Sequence, residues 1–261
     1  MKTALKYLKK IIKEFEKEIK TYKYHKPILG VFATLCIFLI VIMPLYDVYS
    51  VEKTPYMQPT TREVLGNESY GFVIKEGPYG NSTSKVKVAY IVGQHPREHF
   101  AHEATVENVK EQSPNFRYCY YLYYINVTSY TDDFAVGRMN GQILSNSYVV
   151  PDITKENFDF AVDVHGTDGE YSKRVFLFTP LEKGTSLDIA FTLTNIVDGV
   201  PYYHAPNPSS TEFTTIPLIN NGIPAIVYES FTAQPYDNIK KQDKKFVLGV
   251  DNLNFYPNPC Y

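Results

Sequence analysis

Residues 28–46 read ILGVFATLCIFLIVIMPLY, a run without a single charge. About 20 such residues are what an α-helix needs to cross the hydrocarbon core of a bilayer. A secretory signal peptide has a shorter apolar core and a small-residue cleavage site. A buried core helix would need a domain around it, and the flanks here are polar. The run is therefore expected to be a retained transmembrane helix. It divides the chain into a cytoplasmic basic amphipathic segment (1–27), the span (28–46), a linker (47–61) rich in Pro and Thr, and one extracytoplasmic domain (62–261).

Charge sets the expected orientation. Lys2, Lys6, Lys9, Lys10, Lys13, Lys17, Lys20, Lys23 and Lys26 precede the span, opposed only by Glu14, Glu16 and Glu18, while the far flank begins with Asp47. The positive-inside rule puts the N-terminus in the cytoplasm and the remainder outside the cell membrane, as a single-pass protein. Leu5, Leu8, Ile11, Ile12, Phe15, Ile19 and Tyr22 recur at helical spacing among those lysines. Such a helix suits the inner membrane surface, where its lysines meet anionic head groups. Sequons at Asn67, Asn81 and Asn126 agree with an outside location. With Cys36 in the span, two readings stay open for the others: a Cys119–Cys260 disulfide, or a buried Cys119 and a terminal Cys260. The whole chain has 26 basic and 28 acidic residues. That balance lacks the basic excess of a nucleic-acid binder, and no nucleic-acid partner is expected.

Beyond residue 62, strands and helices alternate. KVKVAYIV (85–92), YCYYLYYINV (118–127), FDFAVDV (158–164), VFLFT (175–179) and the run ending at Tyr228 read as strands. Residues 102–112, 186–197 and 240–252 have helical spacing. This alternation predicts an α/β domain, a mixed twisted central sheet flanked by helices. In such sheets sites gather just past strand ends.

The chemically loaded residues fall at those places. His95-Pro-Arg-Glu98 follows the first strand, and its His and Glu, three apart in a turn, can converge on one ion. His165 closes Asp163-Val-His165-Gly166 and can supply a third ligand, with Asp163 on the same strand face as its support. Two imidazoles and a carboxylate can hold zinc and leave a position open for water. Glu229 ends the apolar run Ile223–Glu229, where a carboxylate is costly unless it is paired or does chemistry. Beside a zinc-bound water it would act as general base.

In this order the set resembles the zinc carboxypeptidase family and its relatives, the succinylglutamate desuccinylases and aspartoacylases, over about residues 85–250. His95-Pro-Arg-Glu98 is similar to the family's H-x-R-E, Asp163-Val-His165 to the strand bearing the third ligand, and Ile223–Glu229 to the strand bearing the catalytic glutamate. The resemblance implies one Zn2+ per chain on His95, Glu98 and His165, with catalysis by Glu229 and Arg138, the latter polarising the scissile carbonyl. It also implies substrate binding by Arg97 and Asn140. The family pairs that asparagine with an arginine, where this chain has Gly141, and the spacing of Arg138 and Asn140 is unusually close. The implied activity is hydrolysis of an amide bond in a peptide, or in an N-acyl amino acid as in the desuccinylase branch. A tyrosine such as Tyr202 or Tyr203 would cover the site.

Two rivals remain. His95-Pro-Arg-Glu98-His99 also reads as H-x-x-E-H, with zinc on His95 and His99, although Pro96 disfavours one continuous helix there. A non-catalytic zinc-binding extracellular module would keep the fold without turnover. His102 is expected to face solvent.

Overall fold

The computed structural model describes Lys13 and residues 58–182, 184–206 and 209–255. The expected span 28–46 and Cys260 lie outside the described residues, as does the amphipathic segment apart from Lys13. Among the described residues no helix is long and apolar enough to cross a membrane. The chain divides into two compact units, Met1–Thr54 and Pro55–Tyr261; the strands among the described residues lie in the second.

Seven strands form one mixed sheet. They are β1 (Thr61–Glu68), β2 (Gly71–Gly80), β3 (Lys87–Val92), β4 (Cys119–Val127), β5 (Phe160–Thr167), β6 (Phe176–Phe178) and β7 (Ala225–Phe231). The order is β1-β2-β4-β3-β5-β7-β6. The centre, β4-β3-β5-β7, is parallel, and β1, β2 and β6 pair antiparallel at the two sides. The expected mixed sheet flanked by helices is therefore present. The central strands are covered on both faces, which is why they read as nearly continuous apolar runs.

The helices are α1 (His99–Gln112), α2 (Phe134–Leu144), α3 (Val150–Lys155), α4 (Gly184–Ile196), α5 (Thr215–Asn220) and α6 (Tyr236–Asp251). Side-chain alternation along the strands assigns them to two layers. Val88, Tyr90, Phe160, Val162, Val164, Ile226 and Tyr228 pack with Ala101 and Val109 of α1, Leu193 of α4, and Phe246 and Val250 of α6. The opposite parity, Ala89, Ile91, Ala161 and Ala225, packs with Leu144 of α2, Val150 and Ile153 of α3, and Leu218 of α5.

Five elements lie outside the sequence expectation: β1, β2, α2 and the short helices α3 and α5. The β1–β2 hairpin was not anticipated, because β1 is an exposed edge (TREVLGNE) with no buried alternation to announce it. Helix α2 was not anticipated either. It contains Gly137 and Gly141, each a poor helix former, and it exposes Phe134, Val136, Met139 and Ile143. Its start is secured by Asp133, whose carboxylate accepts from the N–H groups of Ala135 and Val136 at 2.9 and 2.8 Å. Cys119 is buried and has no disulfide partner among the described residues.

The closest ring pair among the described residues joins sheet to helix: Tyr228 stacks on Phe246, with ring centroids 3.7 Å apart and planes 3° from parallel. Both rings are fully buried. Phe246→Ala should lower the unfolding free energy by about 3–5 kcal/mol, read as a lower denaturant midpoint at unchanged slope. A loss under about 1 kcal/mol would contradict this packing.

Candidate metal centre

Strand β3 delivers the chain to Gln94 and His95, and a 3-10 turn, Pro96–Glu98, then opens α1. Proline suits a first helical position, where its missing N–H is not needed. The turn sets His95 Nδ1 2.8 Å from Glu98 Oε1. Two strands away in sequence but adjacent in the sheet, β5 carries His165. Its Nδ1 lies 3.0 Å from Glu98 Oε2 and 3.0 Å from His95 Nδ1. These three residues are the group of potential metal ligands found among the described residues. Tetrahedral zinc with bonds of about 2.0–2.1 Å would set its donor atoms about 3.3 Å apart. Two Nδ1 atoms and a carboxylate facing one another at 2.8–3.0 Å therefore fit such an ion after a small relaxation. The donor set, two imidazoles and one carboxylate, is also one that zinc takes.

The far nitrogens of both rings face polar side chains, His165 Nε2 at ion-pair distance from Asp163 without completing a hydrogen bond. His165 Nε2 lies 3.3 Å from Asp163 Oδ1, and Asp163 Oδ2 accepts from Thr215 Oγ1 at 3.2 Å. His95 Nε2 lies 3.3 Å from the Gln142 amide nitrogen; with His95 ligating through Nδ1 its Nε2 carries the proton, so Gln142 must turn its amide oxygen to accept it. Such contacts orient metal-binding imidazoles. Helix α2 comes this close because Gly141 carries no side chain: a Cβ there would lie 1.9 Å from the Gln94 carbonyl oxygen. No arginine can therefore stand at position 141 in this packing. One turn earlier, Arg138 Nη1 donates to Glu98 Oε1 at 2.8 Å, and its guanidinium lies over the Phe134 ring.

Burial shapes the charges. His95 and His165 are only 1% and 2% exposed. Burial pushes the His95 pKa down. Burial works in the same direction on His165, but Asp163 and Glu98 outweigh it and hold that imidazole well above its ordinary value. Burial acts to raise Glu98, yet the two histidines hold its carboxyl well below the usual range.

Glu229 is the register partner of His165 on the neighbouring parallel strand β7. Their side chains project from the same face of the sheet. Burial, opposed by His165 and reinforced by Glu98, pushes the Glu229 carboxyl up to about 8. His95, Glu98, His165, Glu229, Arg138 and Arg97 all line one cavity of about 490 Å³. Arg97 is exposed at its side. Asn140 is not brought to this cavity; its amide donates to the Ser129 carbonyl at 3.2 Å.

Several sequence expectations are corrected. His99 is exposed, its ring 4.1 Å from that of Phe100, and it does not join the donor group. His102 does not face solvent: it is buried, with Nε2 3.1 Å from the Val164 carbonyl oxygen. Neither Tyr202 nor Tyr203 lines the cavity; Tyr171 does, on the loop after β5. Burial, with Glu229 and Glu170 nearby, pushes the Tyr171 phenol up to about 12, so it remains a hydrogen-bond donor at neutral pH. Gln142 escaped the sequence reading, although it lies four residues past Arg138, on the same face once α2 is a helix.

Neither a protein-family model nor a curated protein matches the sequence. Among solved structures, the chain is similar to a metallo-carboxypeptidase from Pseudomonas aeruginosa, at 15% identity over 78% of this chain and 67% of that one, with a TM-score of 0.48. It is also similar to the cell shape determinant protein Csd4 from Helicobacter pylori, at 11% identity over 70% of this chain and 55% of that one, with a TM-score of 0.48.

Behind Glu229, the two residues flanking it are tied to α6. Asp243 accepts from Tyr228 at 2.9 Å and from Ser230 at 2.7 Å through one oxygen, and from Thr105 of α1 at 3.3 Å through the other. Burial pushes the Asp243 carboxyl up to about 7, against the lowering effect of these hydrogen bonds. An unfolded Asp titrates near 3.8. Between the two values the folded protein holds a proton that the unfolded chain has lost, so this group's contribution to stability falls as pH rises from about 4 to 7. Unfolding free energies measured across that window should fall less in Asp243→Asn than in the wild type. Parallel curves would contradict the assignment.

Proposed function

We propose that this chain is a zinc-dependent hydrolase of amide bonds, acting on a peptide in the manner of a carboxypeptidase-like enzyme. The observation that carries the reading is the convergence of His95 Nδ1, Glu98 and His165 Nδ1 in one cavity, with Glu229 in register beside His165. His95, Glu98 and His165 would hold the ion. When bound, zinc supplies a Lewis acid that polarises the substrate carbonyl and makes water a stronger nucleophile.

The chain's own groups account for the remaining needs. Glu229 takes a proton from the attacking water and passes it to the departing amine. Its raised pKa suits both directions of transfer near neutral pH. Arg138 reaches into the cavity from α2 and donates to the carbonyl oxygen as negative charge grows there. Arg97, exposed at the cavity, would bind a more distant part of the substrate, and Tyr171 offers a hydroxyl donor.

Position 141 separates the candidate substrates. With glycine required there, the cavity lacks the arginine of an Asn-Arg clamp for a terminal carboxylate. That favours a cut that does not depend on such a clamp, and it keeps an N-acyl amino acid deacylase as the second reading. The uncharged run 28–46 and the lysines before it support a single-pass anchor with the catalytic domain on the outer side of the cell membrane.

Purified full-length protein, zinc-loaded in detergent, should hydrolyse a member of a panel of peptides and N-acyl amino acids. Glu229→Gln should keep its zinc and lose roughly 10²–10⁴-fold in kcat/KM. Full activity in that variant would overturn the assignment of the base.

A further inference from the structure

Helix α1 begins immediately after Glu98, so the turn that presents His95 and Glu98 moves with it. His165 belongs to a different element, the end of β5. Pairing of β5 with β3 stops at Asp163, and beyond that point the sheet no longer fixes the strand on that side. Two hydrogen bonds from the α1 side take over, one on each side of His165. Glu98 Oε2 accepts from Gly166 N–H at 3.0 Å. His102, one turn into α1, meets the Val164 carbonyl through Nε2 at 3.1 Å. A carbonyl only accepts, so His102 carries its proton on Nε2 and donates.

The approach is close. A Cβ on Gly166 would lie 3.3 Å from both the Ala101 and the Glu98 Cβ atoms. His102 is 7% exposed and its neighbours on the buried side of α1 include Ala101 and Ala104. A leucine would fill such a place without needing a polar partner. The imidazole does what an apolar side chain cannot: it binds the backbone next to a ligand.

We infer that His102 is a positioning residue that fixes the spacing between the two ligand-bearing segments, by tying α1 to the Val164 carbonyl one residue before His165. The inference rests on the zinc reading of the site. Removing the tie lets the end of β5 drift from α1, and the donor atoms lose the separation that one ion requires. Outer contacts of this kind change metal affinity by about 10–100-fold.

The test is zinc affinity of the full-length protein by competition with a chromogenic chelator, in wild type, His102→Leu, His102→Gln, His102→Asn and His165→Ala. His165→Ala should lose high-affinity binding; if it does not, the zinc reading itself fails. With that control in place, His102→Leu should bind zinc about 10–100-fold more weakly. His102→Gln, whose amide nitrogen can stand where Nε2 stood, should recover most of the affinity. Cobalt-substituted His102→Leu should show an altered visible spectrum, and His102→Gln a nearly native one. If His102→Leu does not fold, the polar pair decides: affinity kept by Gln and lost by the shorter Asn supports the tie. Wild-type affinity in Leu, or equal affinities in Gln and Asn, would overturn it.

Discussion

The carboxylate of Glu98 accepts or faces four groups at 2.8–3.0 Å: His95 and Arg138 at one oxygen, His165 and the Gly166 N–H at the other. Those partners come from the β3–α1 turn, α2 and β5. Desolvating an ionised carboxylate costs several kcal/mol, and only simultaneous contact with several donors offsets it. The site is therefore a consequence of close packing between three elements. Position 141 lets α2 reach Gln94, and position 166 lets α1 reach β5. A side chain at 141 would push α2 off Gln94, and one at 166 would crowd Ala101, Glu98 and Thr232.

The sheet adds a second constraint through parity. Residues of one parity on β5 and β7, Phe160, Val162, Val164, Ile226 and Tyr228, fill the core under α1, α4 and α6. The other parity places Asp163, His165 and Glu229 on the opposite face, next to the β3–α1 turn. A one-residue slip of β7 would turn Glu229 into the core and Tyr228 out of it. The Tyr228–Phe246 stack and the hydrogen bonds from Tyr228 and Ser230 to Asp243 oppose that slip. Chemistry on one face of β7 is thus held in register by packing on the other.

How much of this was readable beforehand depended on how each element is covered. The parallel strands were legible because burial on both faces demands long apolar runs, and His95, Glu98, His165 and Glu229 stood just past the ends of those runs or within their last residues. Helix α2 was not legible. Gly141 serves a tertiary contact with Gln94 and Gly137 one with Tyr130, and four of its apolar residues, Phe134, Val136, Met139 and Ile143, point outward, so the periodicity runs against the usual rule. That loss hid Gln142 and left both Arg138 and Asn140 assigned to the site, when Arg138 reaches Glu98 and Asn140 turns to Ser129. His102 was misread for a related reason. The buried side of α1 includes His102, Thr105 and Asn108, polar residues whose partners, Val164, Asp243 and Lys240, are invisible without the fold.

One ion shared by His95, Glu98 and His165 is the central requirement of the proposed site. The direct measurement is a crystal structure of zinc-loaded protein with anomalous data at the zinc edge. The expected result is a single strong anomalous peak bonded to His95 Nδ1, a Glu98 oxygen and His165 Nδ1, with Glu229 facing its open side. A peak at His95 and His99, or zinc at scattered surface sites with this donor group empty, would contradict it.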